Sequence, residues 1–291
     1  MHIKDVCRKC GLTKKAVEYY EKQGLIAPGV EGNGYRNYLD ADVSALKEIA
    51  VLRSLGLGVA DIREVLKSAN KASALLRCRE QMELEREKQT VQLSAMELLM
   101  EEYEPDRAQA YIKVHLNPSL SVREKLLQAF PGAYGVYLSL HFGRFLNEPL
   151  NTQEKEEAYR KVLAYLDDAP ALPDELVTLL EQSIPATDKA MLETLDTGTM
   201  EALQDTQAYL EQNRDVLESY LEWRGSEEYR ASSAYRLREL LLAYQNDTGY
   251  QEQFLHHLRI ISPAYCAYVQ RLEQANGVFL AQYPQAETLL K

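Results

Sequence analysis

Cysteine is scarce: only Cys7, Cys10, Cys78 and Cys266 occur in 291 residues, and only the first two stand close together. That excludes a disulfide framework and fits a reducing compartment. Long apolar runs are missing too. Ala133 to Leu140 and Leu240 to Tyr244 are the longest, far short of the roughly 18 residues that span a bilayer. The first ten residues carry Lys4, Asp5, Arg8 and Lys9 with no apolar segment behind them, so no secretory signal peptide is expected. The expected location is therefore the cytoplasm, with no membrane partner. The chain also lacks a phosphate-cradling glycine pattern, a Gly-x-Ser-x-Gly elbow and a His-Glu-x-x-His pair. Asp167-Asp168 stands beside Pro170 and reads as a solvated turn. No enzymatic activity and no cofactor are expected.

Charge is present but unevenly spread. The whole chain carries −11, with a pI near 5.1. The first seventy residues hold eleven bases and nine acids, a net +2, which leaves −13 on the remainder. A mildly basic head on an acidic body implies two jobs, of which only the head can face phosphate.

The head reads as short helices with turn punctuation. Ile3, Val6, Cys7 and Cys10 fall at helical spacing, and Gly11 is a C-terminal stop. Thr13 is a good N-cap for a second helix running to about Gln23, closed by Gly24. Two short helices around a glycine turn make a helix-turn-helix candidate. Leu25-Ile26 and Tyr35 to Leu39 are predicted as a small hairpin, or wing, around the loop from Pro28 to Gly34. Asp40 to Leu55 and Val59 to Leu66 are predicted as further helices separated by Gly56-Leu57-Gly58.

From Lys71 to Glu104 there is neither glycine nor proline. A 4-3 spacing runs through Leu75, Arg79, Met82, Arg86, Gln89, Leu93, Met96, Met100 and Tyr103. Such a seam needs a partner, either the chain's own C-terminal domain or a second copy. The highly charged flanks favour homodimerisation, with Leu75, Met82, Leu93, Met96, Met100 and Tyr103 as the apolar contacts. Pro105 marks a boundary. Beyond it helical periodicity prevails: a capping box at Ser121, Pro131 opening Gly132 to Leu146, Thr152 opening a helix to about Leu166, and Pro173 opening Asp174 to Ile184. Longer stretches follow at Pro185 to Arg224, Ser226 to Gln245 and Tyr250 to Ile261, and Ser262-Pro263 opens a last helix to about Gln282. The expected fold is all-α with a small β-wing. Its expected domains are a DNA-binding head (1–70), a dimerisation helix (71–104) and a helical-bundle effector or signal domain (105–291).

The head resembles the MerR family of bacterial transcription regulators. The resemblance lies in Thr13 to Pro28 with its paired Tyr19-Tyr20 and Gly24-Leu25-Ile26, in Asn33-Gly34-Tyr35-Arg36-Asn37-Tyr38, in Leu52 to Leu57, and in Ile62 to Leu66. It covers about the first quarter of the chain, and the family's dimerisation helix would match Lys71 to Glu104. It implies a homodimeric winged helix-turn-helix that binds a palindrome in promoter DNA. In that family an effector makes the dimer bend and untwist the duplex so that RNA polymerase engages, at a deformation cost of about 1–6 kcal/mol for smooth bends. Carried over residue by residue, Thr13, Lys14 and Lys15 begin the recognition helix, Tyr19 approaches the backbone, and Arg36 and Tyr38 clamp phosphate. Glu18 departs from the pattern, because the family usually has arginine there. It would either accept from a cytosine amino group or bind a neighbouring lysine.

Metal chemistry finds little footing. Cys7 and Cys10 share the apolar face of the first helix, where packing explains them. Cys78 stands where metal-sensing relatives place a ligand, but the Cys-containing loop that completes those sites is missing. His256 and His257 point to different helix faces. No metal site is expected.

The body is rich in aromatics: fifteen of the nineteen tyrosines, every phenylalanine and Trp223 lie beyond residue 70. Tyr134, Tyr137, His141, Phe142 and Phe145 fall on adjacent faces after Pro131, and Tyr220, Trp223 and Tyr235 with Tyr265 and Tyr268 form a second expected group. For most of these rings a packed core suffices. An aromatic-lined cavity in an acidic body also suits a small hydrophobic or cationic effector. The alternative is a body that serves as a protein-interaction scaffold without a small ligand.

Overall fold

The computed structural model describes residues 1–32, 35–116, 120–147, 149–183, 192, 194, 198–200 and 202–290, and residues 118 and 119 by their backbone alone. The chain divides into two compact units, Met1–Cys78 and Arg79–Lys291. The helix that joins them in sequence contributes to both.

In the first unit, α1 (Ile3–Cys10) ends at Gly11, which takes the left-handed φ of 65° that a C-terminal stop requires. Helix α2 (Lys14–Lys22) starts at Thr13, whose hydroxyl accepts from the Ala16 amide at 3.2 Å. The wing is a two-stranded antiparallel ribbon, β1 (Gly29–Val30) on β2 (Arg36–Asn37). Its first strand lies inside the predicted loop, not at Leu25-Ile26: Ile26 is buried in the core and so unavailable to an edge ribbon. Helices α3 (Asp40–Ser54) and α4 (Val59–Lys67) follow. Val6, Val17, Tyr20, Leu46, Ile49 and Ile62 close one core at or near zero exposure, each burial worth about 1.5–3 kcal/mol.

Helix α5 (Lys71–Glu101) is unbroken over 31 residues. Within the first unit its Arg77, 6% exposed, reaches Asp61 at 3.1 Å and Glu64 at 2.6 Å on α4. A cation buried this far persists only with such partners.

The second unit is helical: α6 (Pro105–His115), α7 (Pro118–Ala129), α8 (Gly132–Gly143), α9 (Gln153–Asp168) and α10 (Asp174–Ser183). These are followed by α11 (Thr206–Gln212), α12 (Arg214–Gly225), α13 (Glu227–Arg230) and α14 (Ser233–Asp247). A π-turn (Tyr250–Leu255) then leads into α15 (His256–Ile261), α16 (Pro263–Gln282) and α17 (Ala286–Leu289). Thr152 and Ser262 cap as expected, accepting from Lys155 N at 3.2 Å and Tyr265 N at 3.1 Å. Ser121 does not: α7 already starts at Pro118, so the predicted capping box lies inside a helix. The stretch predicted as Ser226 to Gln245 is broken, because the Ser232 hydroxyl caps a new start at Tyr235 N. Part of the predicted stretch from Pro185 to Arg224 falls outside the described residues, and from Thr206 onward it is two helices, α11 and α12, not one.

Helix α5 also belongs to this unit. Glu80, 1% exposed, accepts from Arg123 of α7 at 2.7 Å, and Lys88 pairs with Glu124. Arg123 reaches Glu80 by crossing Gly143, where an added Cβ would lie 2.6 Å from its Cδ. The opposite face of α5 is open. Leu75, Met82, Leu93, Met96, Met100 and, just past the helix, Tyr103 are 37–83% exposed. This is the apolar set of the predicted seam, and it has no full cover among the described residues. Among the described residues, no helix is long and apolar enough to cross a membrane.

Candidate nucleic-acid interface

Helix α2 shows solvent two stripes. Lys14, Glu18 and Glu21, at spacings of four and three, face a groove whose other wall is the wing. Lys15, Tyr19 and Lys22 form the neighbouring stripe and contain no acid. The groove encloses about 710 Å³ and is lined by His2, Lys4, Lys14, Glu18, Glu21, Tyr35, Arg36 and Tyr38, with Ile3 at its floor. The C-terminal end of α2 is fixed by Arg63 of α4, which donates to the Gln23 carbonyl at 2.8 Å.

The expected contact residues are thus brought together on one side of the unit, with one exception. Thr13, Lys14, Lys15 and Glu18 are exposed, and Tyr19 is half exposed, its ring edge-on to Tyr20 at 5.7 Å. Arg36 projects from β2. Tyr38 departs from the phosphate-clamp expectation: it is 1% exposed and packs the wing onto the core. Its hydroxyl sits in the groove wall without a hydrogen-bond partner among the described residues. Burial, then the nearby Glu21 carboxylate, raises its pKa, so it remains a neutral phenol. Glu18 is 3.6 Å from Lys14, the neighbouring-lysine arrangement. Sequence reasoning missed Glu21, to which the Arg36 Nε donates at 2.8 Å; the pairing crosses from helix to wing, and no local pattern announces it.

In the second unit the aromatic residues split differently from the expected grouping. Tyr265 and Tyr268 of α16 join the α8 set: Phe142–Tyr265 is 5.9 Å, Phe145–Tyr268 5.1 Å, and His141 lies 5.9 Å from Tyr137 and 5.5 Å from Tyr268. Tyr134 stands apart from these ring contacts, edge-on to Phe130 at 5.7 Å with Tyr244 also against Phe130 at 6.5 Å, although it packs on the same hydrophobic core. Tyr165, stacked on Phe254, and Tyr250, tilted against the same ring, belong to the α8 set and were missed, since only tertiary packing assembles them. Burial dominates the electrostatics. It lowers His141 to about 4, so that the imidazole is neutral, and it raises Tyr134, Tyr244 and Tyr265 to about 12.

Tyr220, Trp223 and Tyr235 form a separate group around Tyr229, without Tyr265 or Tyr268. Here, as at Phe145 of the first set, where the Arg144 guanidinium lies 5.4 Å from the ring, a cation position is already taken. The Arg224 guanidinium lies 4.4 Å from the Tyr229 ring and 5.8 Å from Tyr220, which removes this group from the ligand expectation. Among the described residues no three His, Cys, Asp or Glu side chains cluster as metal ligands. Cys78 is buried, and burial raises its thiol to about 11, far from the thiolate a soft metal needs.

Residues 1–69 match the family of MerR HTH family regulatory proteins. Over 80 residues the chain is 39% identical to HTH-type transcriptional regulator HmrR of Rhizobium leguminosarum bv. viciae, covering 26% of this chain and 62% of that protein. It is 35% identical over 71 residues to HTH-type transcriptional regulator CueR of Salmonella typhi (24% and 51%). It is 37% identical over 67 residues to Heavy metal-dependent transcription regulator 2 of Rhizobium meliloti (23% and 46%). The chain spans about half the length of the curated relatives it matches. No solved structure matches it. The two helices, the wing and the helices behind them therefore form a MerR-family N-terminal helix-turn-helix domain.

Proposed function

We propose that the chain is a transcription regulator that binds palindromic promoter DNA as a homodimer and acts on RNA polymerase by distorting the duplex. The observation that carries this reading is α2 itself, presenting Lys14, Lys15 and Tyr19 beside the wing's Arg36 on a MerR-type domain. Lysines and arginine neutralise phosphates, and the helix between them reads base edges. The open apolar stripe of α5 supplies the dimer contact, because a second copy offers the same stripe.

The body is read as an effector module. The rings of Tyr134, Tyr137, His141, Phe142, Phe145, Tyr265 and Tyr268 would accept a small hydrophobic ligand between helices, or a cation at a ring other than Phe145, whose face carries Arg144. The heavy-metal dependence in one relative's name is not carried over. That similarity covers 23% of the chain, and the buried Cys78 thiol is no ready ligand.

The test uses full-length protein with duplex DNA from upstream of its own coding region and a mixed-sequence duplex of equal length. Preferential binding to the first, weakening steeply with salt, is the expected result. Arg36→Ala should weaken binding to both alike and flatten the salt slope by about one unit. Absence of binding to either duplex at low salt would overturn the reading. For the body, a thermal-shift screen with neutral aromatics and cationic dyes is expected to give stabilisation of about 2.7 kcal/mol at a hundred times the dissociation constant.

A further inference from the structure

The DNA-facing groove contains its own anions. Arg36, which reaches out from β2, gives its Nε hydrogen to Glu21 at 2.8 Å, and Lys14 at the start of α2 lies 3.6 Å from Glu18. Both carboxylates come from the same stripe of α2 and line the same groove, so two of the cations available to phosphate are already engaged. Exposed pairs of this kind contribute little to folding and open readily. A phosphate that approaches either cation must displace a carboxylate, which then stands beside a polyanion without its partner.

We propose that Glu18 and Glu21 are specificity-determining residues that act as built-in competitors for the DNA backbone. They suppress binding to duplex of arbitrary sequence, and they do so least where a base edge offers the displaced carboxylate a donor. The chemistry is that of the major groove: cytosine's amino group donates there, and a carboxylate is its natural acceptor. Arbitrary DNA forces the swap without compensation, whereas a suitable sequence returns a hydrogen bond for each ion pair opened. Lys15, Tyr19 and Lys22 are exposed on the neighbouring stripe, and while Glu18 is held by Lys14 and Glu21 by Arg36 they keep a basal grip on phosphate. The inference rests on the DNA-binding reading.

The test compares full-length wild type with Glu21→Gln, Glu18→Gln and the double variant. Each is titrated with a mixed-sequence duplex and with the duplex that wild type enriches from a randomised pool. Glutamine keeps size and helix preference, and circular dichroism melting verifies folding. Mixed-sequence binding should tighten roughly three- to tenfold per carboxylate at low salt, and the salt slope should steepen by roughly 0.9 for each. The selected duplex should gain less, so the ratio of the two affinities falls. Glu48→Gln, which removes a carboxylate paired with Lys71 outside the groove, should leave both affinities unchanged. Unaltered or weaker binding in the Glu18 and Glu21 variants, or equal tightening in the Glu48 variant, overturns the inference. If wild type itself binds neither duplex, it is the DNA-binding reading that fails.

Discussion

Gly135 sits in the first turns of α8, where a Cβ would lie 2.3 Å from the Phe130 carbonyl oxygen. That oxygen belongs to backbone and cannot swing aside. Replacing a helical glycine by alanine usually gains up to about 1 kcal/mol, but overpacking here costs about 1–3 kcal/mol, so Gly135→Ala should be a net destabiliser in a urea titration. His141 gives a pH signature. Its pKa is near 4 when folded, because burial disfavours the imidazolium, against 6.5 in the unfolded chain. The unfolded state therefore takes up the proton first, and stability present at neutral pH is lost as pH falls from about 6.5 towards 4. Between pH 7 and 5 this amounts to about 2 kcal/mol before any discount for partial exposure. A His141→Phe variant should lose that share of the acid sensitivity. A wild-type denaturation midpoint unchanged from pH 7 to 5 would contradict the assignment.

At the scale of elements, α5 presents two faces with different work. One holds Arg77, Glu80 and Leu84 against neighbouring helices, and the other exposes Leu93 at 60% and Met96 at 57%. Leu93→Asp with Met96→Asp should leave helix content and melting of the single chain nearly intact, since both residues are more than half exposed. The same change should convert a sedimenting dimer to monomer and weaken DNA binding. A wild type that already sediments as a monomer at micromolar concentration while binding its operator would overturn the dimer. Local devices were legible from sequence: the glycine stop at Gly11 and the caps at Thr13, Thr152 and Ser262 each need only a few consecutive residues. Those that depend on distant chain were not. The Ser121 box lost to a start at Pro118, the first wing strand lies at Gly29–Val30 because Ile26 goes to the core, and Tyr38 is drawn inward by the same core. The regrouping of Tyr265 and Tyr268 with α8, and the Arg36–Glu21 pair, join residues that are neighbours only after folding.

At the scale of the molecule, the chain is divided into a basic head and an acidic body, and α5 is the one described element that contributes to both compact units. At 1.5 Å per residue its 31 residues extend about 46 Å, and no glycine or proline interrupts them. Such a rod keeps rotational phase as strictly as length. Leu75 and Met82 at one end stay in line with Leu93, Met96 and Met100 at the other only while the number of residues between them is conserved modulo a heptad. Seven residues inserted after Gln89 would advance the helix by nearly two whole turns, a drift of only about 20°. Two inserted residues would turn the distal half by about 200° and send its apolar row to the far side. The longer insertion should therefore dimerise while the shorter one does not, by sedimentation at equal concentration. For a stripe read in this way, what a partner copy recognises is an angle, and the smaller change to the chain does the greater harm.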